Sequence, residues 1–127
     1  MEGESVNRGN RPKKAIAEAK RYAAAFGYQV ASVEASWLSN DFMAVQDGCI
    51  SLIRVRRIRY RKFAVEEIES SCRQEIALLR EVPIGEGVAR ELWVRGPDRH
   101  WFRYRILSDR IEQLNGRRDS RLRNTGQ

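Results

Sequence analysis

The residues best suited to chemistry in this chain form one run, Ile53-Arg54-Val55-Arg56-Arg57-Ile58-Arg59-Tyr60-Arg61-Lys62, in which strand-forming side chains alternate with cations. On an extended strand Arg54 and Arg56 stand two residues apart and therefore point to the same face. A guanidinium offers a planar fork of donors that matches phosphate oxygens, so this pair is a candidate phosphate clamp. Asp41, just upstream at the start of a short β-rich segment, is expected to bridge to Arg54 or Arg56 in a buried or half-buried pair. Past the strand, Arg57, Arg59, Arg61 and Lys62 either touch phosphate or coat a solvated face, and the sequence leaves both readings open. Trp93 and Trp101 lie in a second arginine-rich stretch with Arg90, Arg95, Arg99, Arg103 and Arg105. Alternation puts Trp101, Arg103 and Arg105 on one face there, so Trp101 is the aromatic expected on a basic surface and Trp93 the one expected in the core. His100, the single histidine, has no catalytic partner beside it and reads as an ordinary surface residue.

These groups must be positioned by a sheet and its helices. In residues 13–26, Ile16, Ala19, Ala23 and Phe26 recur at spacings of three and four, Pro12 suits a first helical turn, and Gly27 falls where a left-handed cap belongs. Residues 28–33 alternate and read as a strand. Residues 41–45 and 49–57 read as two further strands joined by Gln46-Asp47-Gly48, which has hairpin turn chemistry. Val65, Ile68, Cys72, Ile76 and Leu79 share one helical face over residues 65–80, with Glu66, Glu67, Glu69, Arg73 and Glu75 elsewhere. Residues 91–95 and 100–107 are strands around a Gly96-Pro97-Asp98-Arg99 turn, and a short helix is expected over 109–114. The class is α/β, a mixed sheet flanked by helices. One domain is expected over 12–114, with a disordered leader at 1–11 and a basic flexible tail at 115–127.

Glu18 in the first helix, then Asn40-Asp41-Phe42-Met43-Ala44, a glycine turn and Ile53-Arg54-Val55-Arg56 together resemble the PD-(D/E)XK nuclease superfamily, and within it the archaeal Holliday junction resolvases. The resemblance implies a restriction-endonuclease-like core (α-β-β-β-α-β plus an additional strand), Mg²⁺ or Mn²⁺ as cofactor if the protein is active, branched or duplex DNA as partner, and a homodimer matching the two-fold junction. Carried over by position, the metal-binding Asp is Asp41, but the Glu-x-Lys of active relatives becomes Arg54 and Arg56. A guanidinium beside a divalent cation opposes it by about 4 kcal/mol per charge at 4 Å and an effective dielectric of 20. The degenerate motif thus argues for DNA binding without standard metal-dependent cleavage. A structure-selective endonuclease remains if a carboxylate on the following helix completes a metal site with Asp41; Glu67 is the first choice there, beside Glu66 and Glu69. A protein-interaction subunit is the third reading.

Bulk properties agree with an anionic partner. Lys and Arg number 24 against 17 Asp and Glu, a formal charge of +7 over 127 residues, of which 42% are hydrophobic. No apolar run approaches a membrane span, and a cytoplasmic protein without membrane partners is expected. Cys49 and Cys72 have no CxxC spacing and are expected to be buried free thiols. The tail arginines Arg117, Arg118, Arg121 and Arg123 would add nonspecific phosphate contacts.

Overall fold

The computed structural model describes residues 11–32 and 40–114; the leader up to residue 10, Trp37 and the tail lie outside them. The elements are α1 (Lys13–Ala25), β1 (Gln29–Ser32), β2 (Phe42–Gln46), β3 (Cys49–Arg57), α2 (Val65–Ser71), α3 (Arg73–Arg80), β4 (Val88–Arg95), β5 (Trp101–Ile106) and β6 (Ile111–Gln113). All six strands form one sheet in chain order. β3 and β4 are parallel, with α2 and α3 as their crossover, and the other neighbours are antiparallel. The protein is therefore α/β, a six-stranded mixed sheet flanked by helices. Among the described residues no helix is long and apolar enough to cross a membrane.

Alternation along the strands builds two cores. Phe42, Ala44, Ile53, Val55 and Trp93 face α1, whose small Ala15, Ala19 and Ala23 let the helix lie close to the sheet. Leu92, Val94, Tyr104 and Ile106 face Ile68, Cys72, Ile76 and Leu79 of the crossover on the other side. α1 ends as expected: Gly27 at φ +96° lets the Tyr28 amide reach the Ala23 carbonyl (3.1 Å) and its own amide reach that of Ala24 (3.0 Å). Asp47 and Gly48, both at positive φ, make the tight β2–β3 turn, with Gln46 opposite Cys49.

Three expectations need correction. The helix over 65–80 breaks at Cys72 (φ −114°, ψ 29°), where the Ser71 hydroxyl donates back to the Glu67 carbonyl at 3.0 Å and competes with the helical ladder. Residues 109–114 hold a strand rather than a helix: Ile111 pairs with Ile106 and buries in the crossover core, too short a segment for periodicity to separate the two. Cys49 is exposed, since it starts β3 at the turn, and only Cys72 is buried; burial raises the pKa of the Cys72 thiol.

Candidate functional site

Ile53 and Val55 point at α1, so Arg54 and Arg56 emerge on the crossover face, as alternation requires. Asp41 lies close by. It stands in a bend just before β2, where its amide donates to the Ile53 carbonyl at 2.7 Å, one residue off the Phe42–Ile53 register, so the chain leaves the regular ladder there. The sheet thus brings together the three residues singled out from the sequence.

Asp41 has a partner that the sequence did not point to. Arg11 grips the carboxylate with both prongs of its fork, Nε to Oδ1 at 3.0 Å and Nη2 to Oδ2 at 2.5 Å, and the Val55 amide donates to Oδ2 at 2.7 Å. Arg11 Nη2 also donates to the Val55 carbonyl at 2.7 Å, so one side chain ties α1's start to both strands. Asp41 also turns toward the backbone of Val55, so its carboxylate meets the chain entering α1. The last residue of the expected leader is therefore part of this cluster.

Arg56 is held from the crossover side, donating to Glu75 Oε1 at 2.9 Å and to the Ser71 carbonyl at 3.1 Å. Arg54 is buried between the two pairs. Burial lowers its pKa most, Arg11 and Arg56 lower it further, and Asp41 and Glu75 raise it. Among the described residues, three arginines, Arg11, Arg54 and Arg56, thus gather around the carboxylates of Asp41 and Glu75. With cations in excess and the Asp41 oxygens already accepting from three donors, this donor set suits an anion better than a divalent metal.

The other expected acids lie elsewhere. Glu18 pairs with Arg95 at 2.6 Å, and Arg95 shares the α1 face of β4 with Trp93, opposite the face of Arg54 and Arg56. Glu67 turns back to accept from the Ala64 amide at 3.1 Å at the start of α2. The carboxylate that does reach the arginines is Glu75. Its signal was its place at i+3 from Cys72 and i−4 from Leu79, inside the apolar stripe, where a charge must find a partner.

The second arginine-rich stretch is also engaged. Arg105 pairs with Glu91 at 3.2 Å, and Glu91, 1% exposed, accepts from Ser51 Oγ at 3.1 Å and Trp93 Nε1 at 2.8 Å. Arg103 lies over the rings of Trp93 (5.5 Å) and Phe26 (6.0 Å). Arg90 is buried, donating to the Arg80 and Val82 carbonyls at 3.0 and 3.2 Å, and so caps the end of α3. Trp101 stacks on Tyr22 of α1 with ring centroids 6.0 Å apart, which covers a face expected to stand open. Glu91 escaped sequence reasoning because its partners are scattered at positions 51, 93 and 105.

Arg57, Arg59, Arg61 and Lys62 remain exposed, in the segment that leaves β3. Arg61 pairs with Asp98 of the β4–β5 turn at 2.6 Å. The segment is pinned at both ends: Ile58 is buried and its amide donates to the Arg95 carbonyl at 3.0 Å, while Phe63 stacks on Phe102 at 4.0 Å and its carbonyl accepts from the Tyr104 hydroxyl at 2.5 Å. Compared with protein-family models and with curated proteins, the chain matches none.

Proposed function

We propose that this chain is a cytoplasmic DNA-binding protein with a restriction-endonuclease-like core that has lost standard metal-dependent cleavage. The order α1-β1-β2-β3-crossover-β4, with β3 and β4 parallel and Asp41 close to Arg54, supports the core. The observation that carries the reading is the two-pronged hold of Arg11 on Asp41, because it places a guanidinium fork on the oxygens that the resemblance assigns to Mg²⁺. Duplex or branched DNA meets the exposed cations Arg57, Arg59, Arg61 and Lys62 through its phosphates, and a homodimer presents two such surfaces to a two-fold junction.

Binding to a duplex and to a four-way junction, titrated with salt and followed by incubation with Mg²⁺ or Mn²⁺, tests this. We expect affinity for both that falls linearly in log–log form with salt, and intact strands. Absence of affinity even at low salt would overturn the reading in favour of a protein interface. Nicking that Asp41→Ala abolishes would favour an active endonuclease. One observation supports that second reading: Glu75 lies within the same electrostatic cluster as Asp41, a more plausible relocated carboxylate than Glu67. It requires Arg11 to leave Asp41, so Arg11→Ala should then raise the nicking rate.

A further inference from the structure

We propose that Tyr60 is a stacking platform for one unpaired base, so that the loop after β3 binds single-stranded nucleic acid or the unpaired segment of a branched one. The inference rests on the proposed nucleic-acid function and names the substrate class it acts on. Tyr60 is 71% exposed, far above Ile84 at 39%, the other large exposed hydrophobic residue among those described. A tyrosine ring ordinarily buries its apolar body and keeps only the hydroxyl wet. Here the ring is held out by construction. Ile58 and Phe63 are anchored in the crossover core, which leaves residues 59–62 as a short bridge over the surface.

Both anchors are firm. Ile58 is hydrogen-bonded to Arg95, and Phe63 is fixed by its stack on Phe102, by the Tyr104 hydroxyl on its carbonyl, and by Gly96, where a Cβ would come within 2.7 Å of the ring. The ring is therefore displayed at little further entropic cost on binding. Its surroundings are cationic: Arg59 and Arg61 on either side, Arg57 and Lys62 beyond them, and Arg99, whose neighbour Asp98 pairs with Arg61. Asp98 is the acid that partners this loop, and a phosphate can replace it on Arg61 because the pair is exposed. An exposed aromatic alone is ordinary surface. Between cations it has the two parts that recognition of a single strand needs, a π-face for the base and donors for the flanking phosphates.

A duplex offers phosphates but no free base face, and that separates this inference from the reading it rests on. The full chain is titrated by fluorescence anisotropy against labelled oligo-dT and oligo-U of about twenty nucleotides and a blunt duplex of equal length, at one salt concentration. We expect Tyr60→Ala to weaken both single strands by about tenfold or more and the duplex by less than twofold, with Tyr60→Trp restoring the single-strand affinity. The relative loss on oligo-dT and oligo-U tells whether DNA or RNA is preferred. Equal weakening of duplex and single strands, or no weakening of either, overturns the stacking role while leaving DNA binding in place. If the wild type binds none of the probes, both readings fall. If Tyr60→Ala instead turns a dimer into a monomer in sedimentation, the ring belongs to a self-contact and the proposal is wrong.

Discussion

Along β3 and the loop that follows it, arginine meets two different fates. Arg54 and Arg56 lie on the crossover face among Asp41, Glu75 and Arg11, with Arg56 bonded to a helix carboxylate and Arg54 enclosed. Arg57, Arg59 and Arg61 stand in solvent, with Arg61 paired on the surface to the half-exposed Asp98. In the first region the cations are part of how the domain holds together; in the second they cost the fold almost nothing and are available to an anion. The residue type is the same, and the difference is what the rest of the chain brings near. Arg11 and Glu75 come from either side in sequence, one before α1 and one on α3, and they decide that the inner pair is structural.

The comparison breaks most visibly at Asp41. Removing its carboxylate leaves Arg11 with the Val55 carbonyl but without the acid that it grips, the Val55 amide without its Asp41 acceptor and Arg54 with one compensating charge fewer. We expect Asp41→Ala to lower stability by about 3 kcal/mol, the lower end of what breaking a buried pair costs, because Arg11 is partly exposed. Urea unfolding measures it, with Arg57→Ala as the control from the outer region, expected within about 0.5 kcal/mol of wild type. Equal effects at the two positions would mean that the inner cluster is no more structural than the loop.

A smaller effect is expected at Arg56 and Glu75. Their pair is partly solvated on the arginine side, so its Coulomb term is screened and much of what Arg56→Ala removes is packing along its stem. In a double-mutant cycle with Glu75→Ala we expect a coupling of about 1 kcal/mol, read by the same unfolding curves. A coupling near zero would move Arg56 to the outer class and make it available to phosphate.

Much of the architecture was legible in the sequence, for reasons that lie in single residues. Alanine spacing fixed the face of α1, Gly27 its end, and Asp47-Gly48 the β2–β3 turn, and these local signals needed no knowledge of the rest of the fold. The common face of Arg54 and Arg56, and the nearness of Asp41 to them, also followed from strand alternation and the hairpin. The pairing within that face did not, because it depends on where a remote side chain arrives: Arg11 reads as leader by composition, and Glu75 reads as solvent-facing unless its place in the apolar stripe is weighed. Glu91 was hidden for the same reason, with Ser51 and Arg105 brought to it by neighbouring strands. The break at Cys72 and the strand at Ile111 were illegible on different grounds, since Ser71's competing hydrogen bond and a three-residue ladder leave little trace in periodicity.

The smallest effect expected concerns the anchor of the exposed loop. Tyr104 is buried, and its hydroxyl donates to the Phe63 carbonyl, so the ring that fills the crossover core also fixes one end of the segment that carries Tyr60. Burial raises the pKa of this phenol, and the nearby Cys72 and Glu67 raise it further. The sign of the pH dependence follows from that direction. Above about pH 10 the unfolded chain releases the Tyr104 proton while the folded chain keeps it, so folding stability is full below that pH and declines as pH rises toward the folded value. Tyr104→Phe keeps the ring and deletes the hydrogen bond, for an expected loss of about 1 kcal/mol at neutral pH. The variant should also show a shallower loss of stability between neutral pH and about pH 11 than the wild type, measured by urea midpoints across the range. If both proteins lose stability in parallel, the alkaline sensitivity belongs to another group, and the hydroxyl serves only to hold Phe63 and the loop beyond it.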